Sequence, residues 1–143
     1  MRWMTREKAK VDRIACPWLI RRFVDADAEF IFLPNDTNWS AVTDGVVFDV
    51  PGAELGHPGE YCSFDAIITR YALDKDPALV ELAKIVRATD TPRKDWPPEG
   101  AGLEAIADGF RHISSDDFDN MRRQFAVYDA PYAHCQANLA RKG

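Results

Sequence analysis

Glu29-Phe30-Ile31-Phe32-Leu33-Pro34-Asn35-Asp36, followed further on by Asp44-Gly45-Val46-Val47-Phe48-Asp49-Val50-Pro51-Gly52, is the stretch on which the fold class turns. Each run is rich in aromatic and β-branched residues and is bounded by turn residues, the signature of a short strand. Glu29–Leu33 and Val46–Val50 are therefore predicted strands. With Trp39–Ala41 in the loop between them, they are expected to pair as an antiparallel ribbon.

Everything around this ribbon reads as helix. Leu19, Ile20 and Phe23 share one face of a helix placed within Asp12–Val24. Pro17 belongs in a first turn, so that helix is expected to begin near Cys16. Ser63 is read as the N-cap of a helix over Phe64–Ala72, with Asp65 in the first turn, where the helix dipole favours an anion. Asp76-Pro77 supplies a cap and an N1 proline for a helix ending near Ala88, with Leu79, Leu82, Ala83 and Val86 as its core stripe. Leu103, Ile106, Ala107 and Phe110 mark another helix. A last one, capped by Ser115, carries Phe118, Met121, Phe125 and Tyr128 and is expected to be interrupted at Pro131. The predicted fold is α+β: one mostly helical domain over residues 1–143 with a small antiparallel β-ribbon.

At 143 residues the chain fits a single core that folds without a metal or disulfide staple. A net charge of -5 argues against direct nucleic-acid binding through phosphate neutralisation. Three well-separated cysteines, Cys16, Cys62 and Cys135, do not form a disulfide framework and imply reduced thiols in the cytoplasm. The polar start MRWMTREKAK lacks the apolar segment of a signal peptide, and no apolar run approaches the roughly 20 residues of a membrane span.

Two segments exceed generic packing. One is Val11-Asp12-Arg13-Ile14-Ala15-Cys16-Pro17-Trp18-Leu19-Ile20-Arg21-Arg22-Phe23. The other is Glu54-Leu55-Gly56-His57-Pro58-Gly59-Glu60-Tyr61-Cys62-Ser63-Phe64-Asp65. Together with Asp76-Pro77-Ala78-Leu79, Val86-Arg87-Ala88-Thr89-Asp90 and Tyr128-Asp129-Ala130, they resemble the C-terminal domain of ChrB-type chromate-resistance proteins over nearly the whole chain, here as a stand-alone domain. The resemblance implies a link to chromate resistance, and to a regulator or a sulfurtransferase-like domain as partner.

The Glu54–Asp65 segment concentrates an imidazole, a thiol and carboxylates in a glycine-punctuated loop. Cys62 precedes the predicted helix, where the dipole favours thiolate. His57, Cys62, Glu60 and Asp65 are the candidate ligands of a divalent metal ion, although H-x4-C-x2-D is not an established zinc spacing. Arg13 and Arg21, eight residues apart on the first helix, are the candidate oxyanion ligands, since a guanidinium donates two parallel hydrogen bonds. The plainer reading has the acids capping turns, Cys62 packing as a small hydrophobe, and the arginines paired on a solvated face.

Three functions stand open. The first is binding of a small oxyanion or metal ion in a pocket between the 54–65 loop and the first helix. The second is a metal- or thiol-dependent enzyme using His57 and Cys62 as catalytic groups. The third is a non-catalytic sensor acting through a partner. A redox pair of Cys16 and Cys62 would need Cα atoms within about 7 Å.

Overall fold

The computed structural model describes residues 1–50, 53, 55, 56, 62–89 and 97–142, and of Asp12 only the backbone. The sheet has three strands: β1 (Arg2–Arg6), β2 (Glu29–Leu33) and β3 (Val46–Val47). Their order is β2-β1-β3, and both pairings are parallel, with Arg2 opposite Glu29, and Trp3 opposite both Phe30 and Val46. The antiparallel ribbon is thus overturned. A strand hidden in the polar N-terminus lies between the two expected ones, and all three run the same way.

The reason lies in the connections. Helix α1 (Asp12–Phe23) carries the chain back from β1, so that β2 enters alongside it in the same direction. Residues 34–45, read from sequence as a hairpin loop, are long enough to cross to the other side of β1, with a 3-10 turn at Trp39–Ala41. β1 escapes a pattern search because Trp3, Met4 and Thr5 are all buried. A central parallel strand is covered on both faces and shows no alternation.

α1 begins at Asp12 rather than near Cys16, and Pro17 lies inside it. The helix survives because Ile14, Ala15, Cys16, Trp18, Leu19 and Ile20 are all buried, which offsets the one hydrogen bond a proline cannot donate. Helix α2 (Ser63–Arg70) has Cys62, not Ser63, at its N-cap, and it stops before Ala72, which adopts a left-handed φ of 53°.

Helix α3 (Pro77–Arg87) follows the expected cap. Asp76 accepts from the amides of Ala78 and Leu79, and Leu79, Leu82, Ala83 and Val86 are buried. Helix α4 (Glu99–Ile113) leads into α5 (Asp117–Lys142), which runs through Pro131 without a break. α5 packs along α1, α3 and α4. Its buried Tyr128 and Cys135 lie on either side of that proline, so tertiary contacts hold both halves.

Candidate functional site

β1 sits in the middle; the chain leaves it through α1 for β2 on one side and then crosses from β2 to β3 on the other. In open parallel sheets, ligands bind beyond the carboxyl ends of the strands. The residues gathered there are Arg6 at the end of β1, Arg13 in the first turn of α1, Asp49 just beyond β3, and Ser63 in the first turn of α2.

Asp49 is the hub. Its side chain is 4% exposed, and the residue takes a left-handed φ of 51°, a conformation aspartate tolerates better than most residues. Oδ1 accepts from the Ser63 hydroxyl at 2.9 Å. Oδ2 faces Arg13 Nε at 3.5 Å and Arg6 Nη2 at 3.8 Å, and Arg6 Nε donates to the Asp49 carbonyl at 3.1 Å. Arg13 Nη1 donates to the Glu7 carbonyl at 2.8 Å. Burial pushes Arg13 below the usual guanidinium range; Asp49 pulls it back up and Arg6 adds to the lowering. It stays charged near neutrality because guanidinium starts so high. Among the described residues, two guanidinium groups thus converge on one carboxylate, and their side chains stay partly exposed.

Ser63 links this hub to a second one. Next to it, Cys62 donates from its backbone amide and its thiol to Asp65 Oδ2, at 3.1 and 3.2 Å. Arg87, at the end of α3, grips the same carboxylate with both prongs of its fork, at 2.7 and 3.1 Å. The Cys62 thiol is thus a donor beside a carboxylate that Arg87 neutralises, and its cap position differs from that of a thiol ahead of a Ser63-capped helix.

Of the candidate residues, Arg13, Cys62 and Asp65 lie in these two linked hubs, whereas His57 and Glu60 lie outside the described residues. Arg21 makes different contacts: its guanidinium donates to the Ala28 carbonyl at 2.7 Å and lies 5.0 Å from the centre of the Phe30 ring and 5.6 Å from that of Phe125. Among the described residues no three of His, Cys, Asp and Glu converge as a metal site would require. Cys16 and Cys135 are buried, and burial pushes the Cys135 thiol up, with Glu81 and Glu99 adding to the rise. A cleft of about 580 Å³ beside β3, walled by Trp39, Val46, Val47, Leu55, Arg70 and Tyr71, takes none of its lining from α1 among the described residues.

Arg6, Asp49, Ser63 and Arg87 were not singled out as site residues from sequence. Asp49 carried a usable signal, a lone charge inside the apolar run Val46-Val47-Phe48-Asp49-Val50. No described helix is long and apolar enough to cross a membrane.

Fold and site together define a mostly helical domain with an arginine–carboxylate centre at the carboxyl end of a small parallel sheet. Residues 3–135 match the model of the family described as ChrB, C-terminal domain, and the chain belongs to that family. Protein ChrB of Cupriavidus metallidurans is 34% identical over 135 residues, an alignment covering 92% of this chain and 40% of that protein. The chain thus spans well under half the length of this relative. No solved structure matches the present chain.

Proposed function

We propose that this domain binds a small tetrahedral oxyanion, chromate being the one its family association suggests, at the mouth framed by Arg6, Arg13 and Asp49. The convergence of arginines carries the reading: among the described residues, Arg13 Nε and Arg6 Nη2 lie 3.5 and 3.8 Å from the same Asp49 oxygen, and both are donors by chemistry. Partial burial strengthens each such contact relative to water. Cys62 adjoins these residues through its neighbour Ser63, whose hydroxyl donates to Asp49.

The anion reading is favoured over a metal site because the Asp65 carboxylate already lies in the Arg87 fork, which a cation would have to displace. In the longer relatives the domain would act as the sensing part of a chromate-resistance protein, with the remainder of the chain as the responder. A cytoplasmic location belongs to the same proposal.

Isothermal titration of chromate, sulfate and zinc into the wild type, Arg13→Ala, His57→Ala and Cys62→Ser is the test. Saturable chromate or sulfate binding, weakened more than about tenfold by Arg13→Ala, is expected for the loss of a charge-assisted contact. An absence of saturable oxyanion binding discards the proposal. Zinc binding that His57→Ala and Cys62→Ser both abolish would replace it with the metal reading.

A further inference from the structure

The turn between β1 and α1 holds both arginines of the proposed site, Arg6 at its start and Arg13 just past its end. In parallel sheets this first turn commonly offers its own amides to a ligand anion. Here those amides are occupied from within the molecule. Lys8 adopts a left-handed φ of 60°, and its amide donates to Asp117 Oδ2 at 2.9 Å, while the next amide, that of Ala9, donates to Asp117 Oδ1 at 2.7 Å. One carboxylate at the start of α5 thus closes the turn.

The same face of α5 continues the grip. Asn120 donates to the Ala9 carbonyl at 3.0 Å, Gln124 donates to Asn120 at 2.6 Å, and Tyr128 reaches the Val11 carbonyl at 3.4 Å. Asn120, Gln124 and Tyr128 are all buried. The turn held in this way presents the Glu7 carbonyl that receives Arg13 Nη1. Asp117 also offsets part of the positive charge around Arg13.

We infer that Asp117 is a positioning residue for the oxyanion site: by holding the amides of Lys8 and Ala9 it fixes the turn that aims Arg6 and Arg13, and it directs an incoming anion to the guanidinium groups rather than to the turn. This rests on the oxyanion reading given above. Asp117 does not itself touch the ligand. It acts across more than a hundred residues of sequence, because α5 lies against the turn.

The experiment compares Asp117→Asn with Asp119→Asn in the full chain. Both remove one negative charge from the first turn of α5, but Asp119 caps Ser115 and pairs with Arg123 instead of holding the turn. The readouts are sulfate and chromate affinity by titration, the side-chain Nε–H resonance of Arg13, and hydrogen exchange at Lys8 and Ala9. In Asp117→Asn, affinity falls about tenfold, because Arg13 on the loosened turn loses its own charge-assisted contact with the anion. The Arg13 resonance moves, and the two amides exchange faster. Asp119→Asn stays within about twofold of the wild type on the same scale. Asp117→Glu, which keeps the charge, recovers most of the affinity and serves as well if the Asn variant folds poorly.

Equal weakening by the Asp117→Asn and Asp119→Asn variants with an unmoved Arg13 resonance overturns the inference. If the wild type binds neither anion, the proposed function falls. The Arg13 resonance and the two amides in Asp117→Asn then still decide whether Asp117 positions the turn.

Discussion

The two ends of α1 use the same side chain in opposite ways. At the amino end, Arg13 brings a positive charge to the positive pole of a helix, an unfavourable placement that Asp49 compensates. At the carboxyl end, Arg21 and Arg22 sit where the dipole favours cations. Arg21 spends its donors on the Ala28 carbonyl and its flat face on Phe30 and Phe125. Arg22 pairs through Nε and Nη2 with Asp129, which also accepts from the buried indole of Trp18 at 2.7 Å. One end gathers Arg13 with Arg6 on a single described carboxylate, and the other is paired against α5. An arginine's role is therefore read from what opposes it, not from its helix.

The sharpest way to break this contrast is at Asp49. Asp49→Ala leaves Arg6, Arg13 and the Ser63 hydroxyl without their common partner. A loss of about 3 kcal/mol in urea unfolding is expected, as for other half-buried ion pairs deprived of one member. Adding Arg13→Met to that variant should recover part of the loss, because the uncompensated charge goes with it.

The balanced end should respond less. Asp129→Ala strands the Trp18 indole N–H and is expected to cost about 2 kcal/mol by the same measurement. Its pH dependence follows from the Asp129 carboxyl, held below the usual range by the hydrogen bond from Arg22 and then that from Trp18. Because the folded value is depressed, this contribution is complete above the unfolded carboxyl pKa of about 4 and is lost as pH falls through the folded value. The wild type and Asp129→Asn should therefore differ in unfolding free energy at pH 7 and converge toward pH 2.

Arg21→Leu keeps the apolar stem while losing the Ala28 hydrogen bond and the ring contacts. About 1 kcal/mol of stability should go, and oxyanion affinity by titration should not change. A drop in affinity would mean that both ends of α1 serve the site. The smallest effect expected is that of salt. Arg22 and Asp129 are 43% and 47% exposed. Raising ionic strength to about 0.5 M should therefore weaken their coupling, measured in a double-mutant cycle, by a few tenths of a kcal/mol.

How far the sequence reading reached depended on the range of each interaction. Asp76-Pro77 and the stripe Leu79, Leu82, Ala83 and Val86 identified α3 because capping and amphipathicity act within a few residues. The proximity of Cys62 and Asp65 was legible for the same reason, since they are three residues apart at a helix start. The start expected near Cys16 and the interruption expected at Pro131 failed because the buried faces of α1 and α5 outweigh one missing hydrogen bond each. β1 was missed because Trp3, Met4 and Thr5 lack the alternation that marks a half-buried strand. Arg13 and Arg21 make different contacts because eight residues are about 12 Å along a helix, enough to place the two guanidinium groups in different surroundings.

The sequence by itself determined the helices, the strand content of Glu29–Leu33, the family, and the segment around Cys62 and Asp65. All of these are written in local periodicity or in contiguous motifs. Only the tertiary structure decided that the sheet is parallel, that Arg2–Arg6 is its centre, and that Arg6, Arg13, Asp49 and Ser63 meet. Strand direction depends on how a crossover returns, and Asp49 lies 43 residues from Arg6 and 14 from Ser63. No local rule encodes contacts over such separations; they exist once the sheet has assembled and its carboxyl end has become a common meeting point.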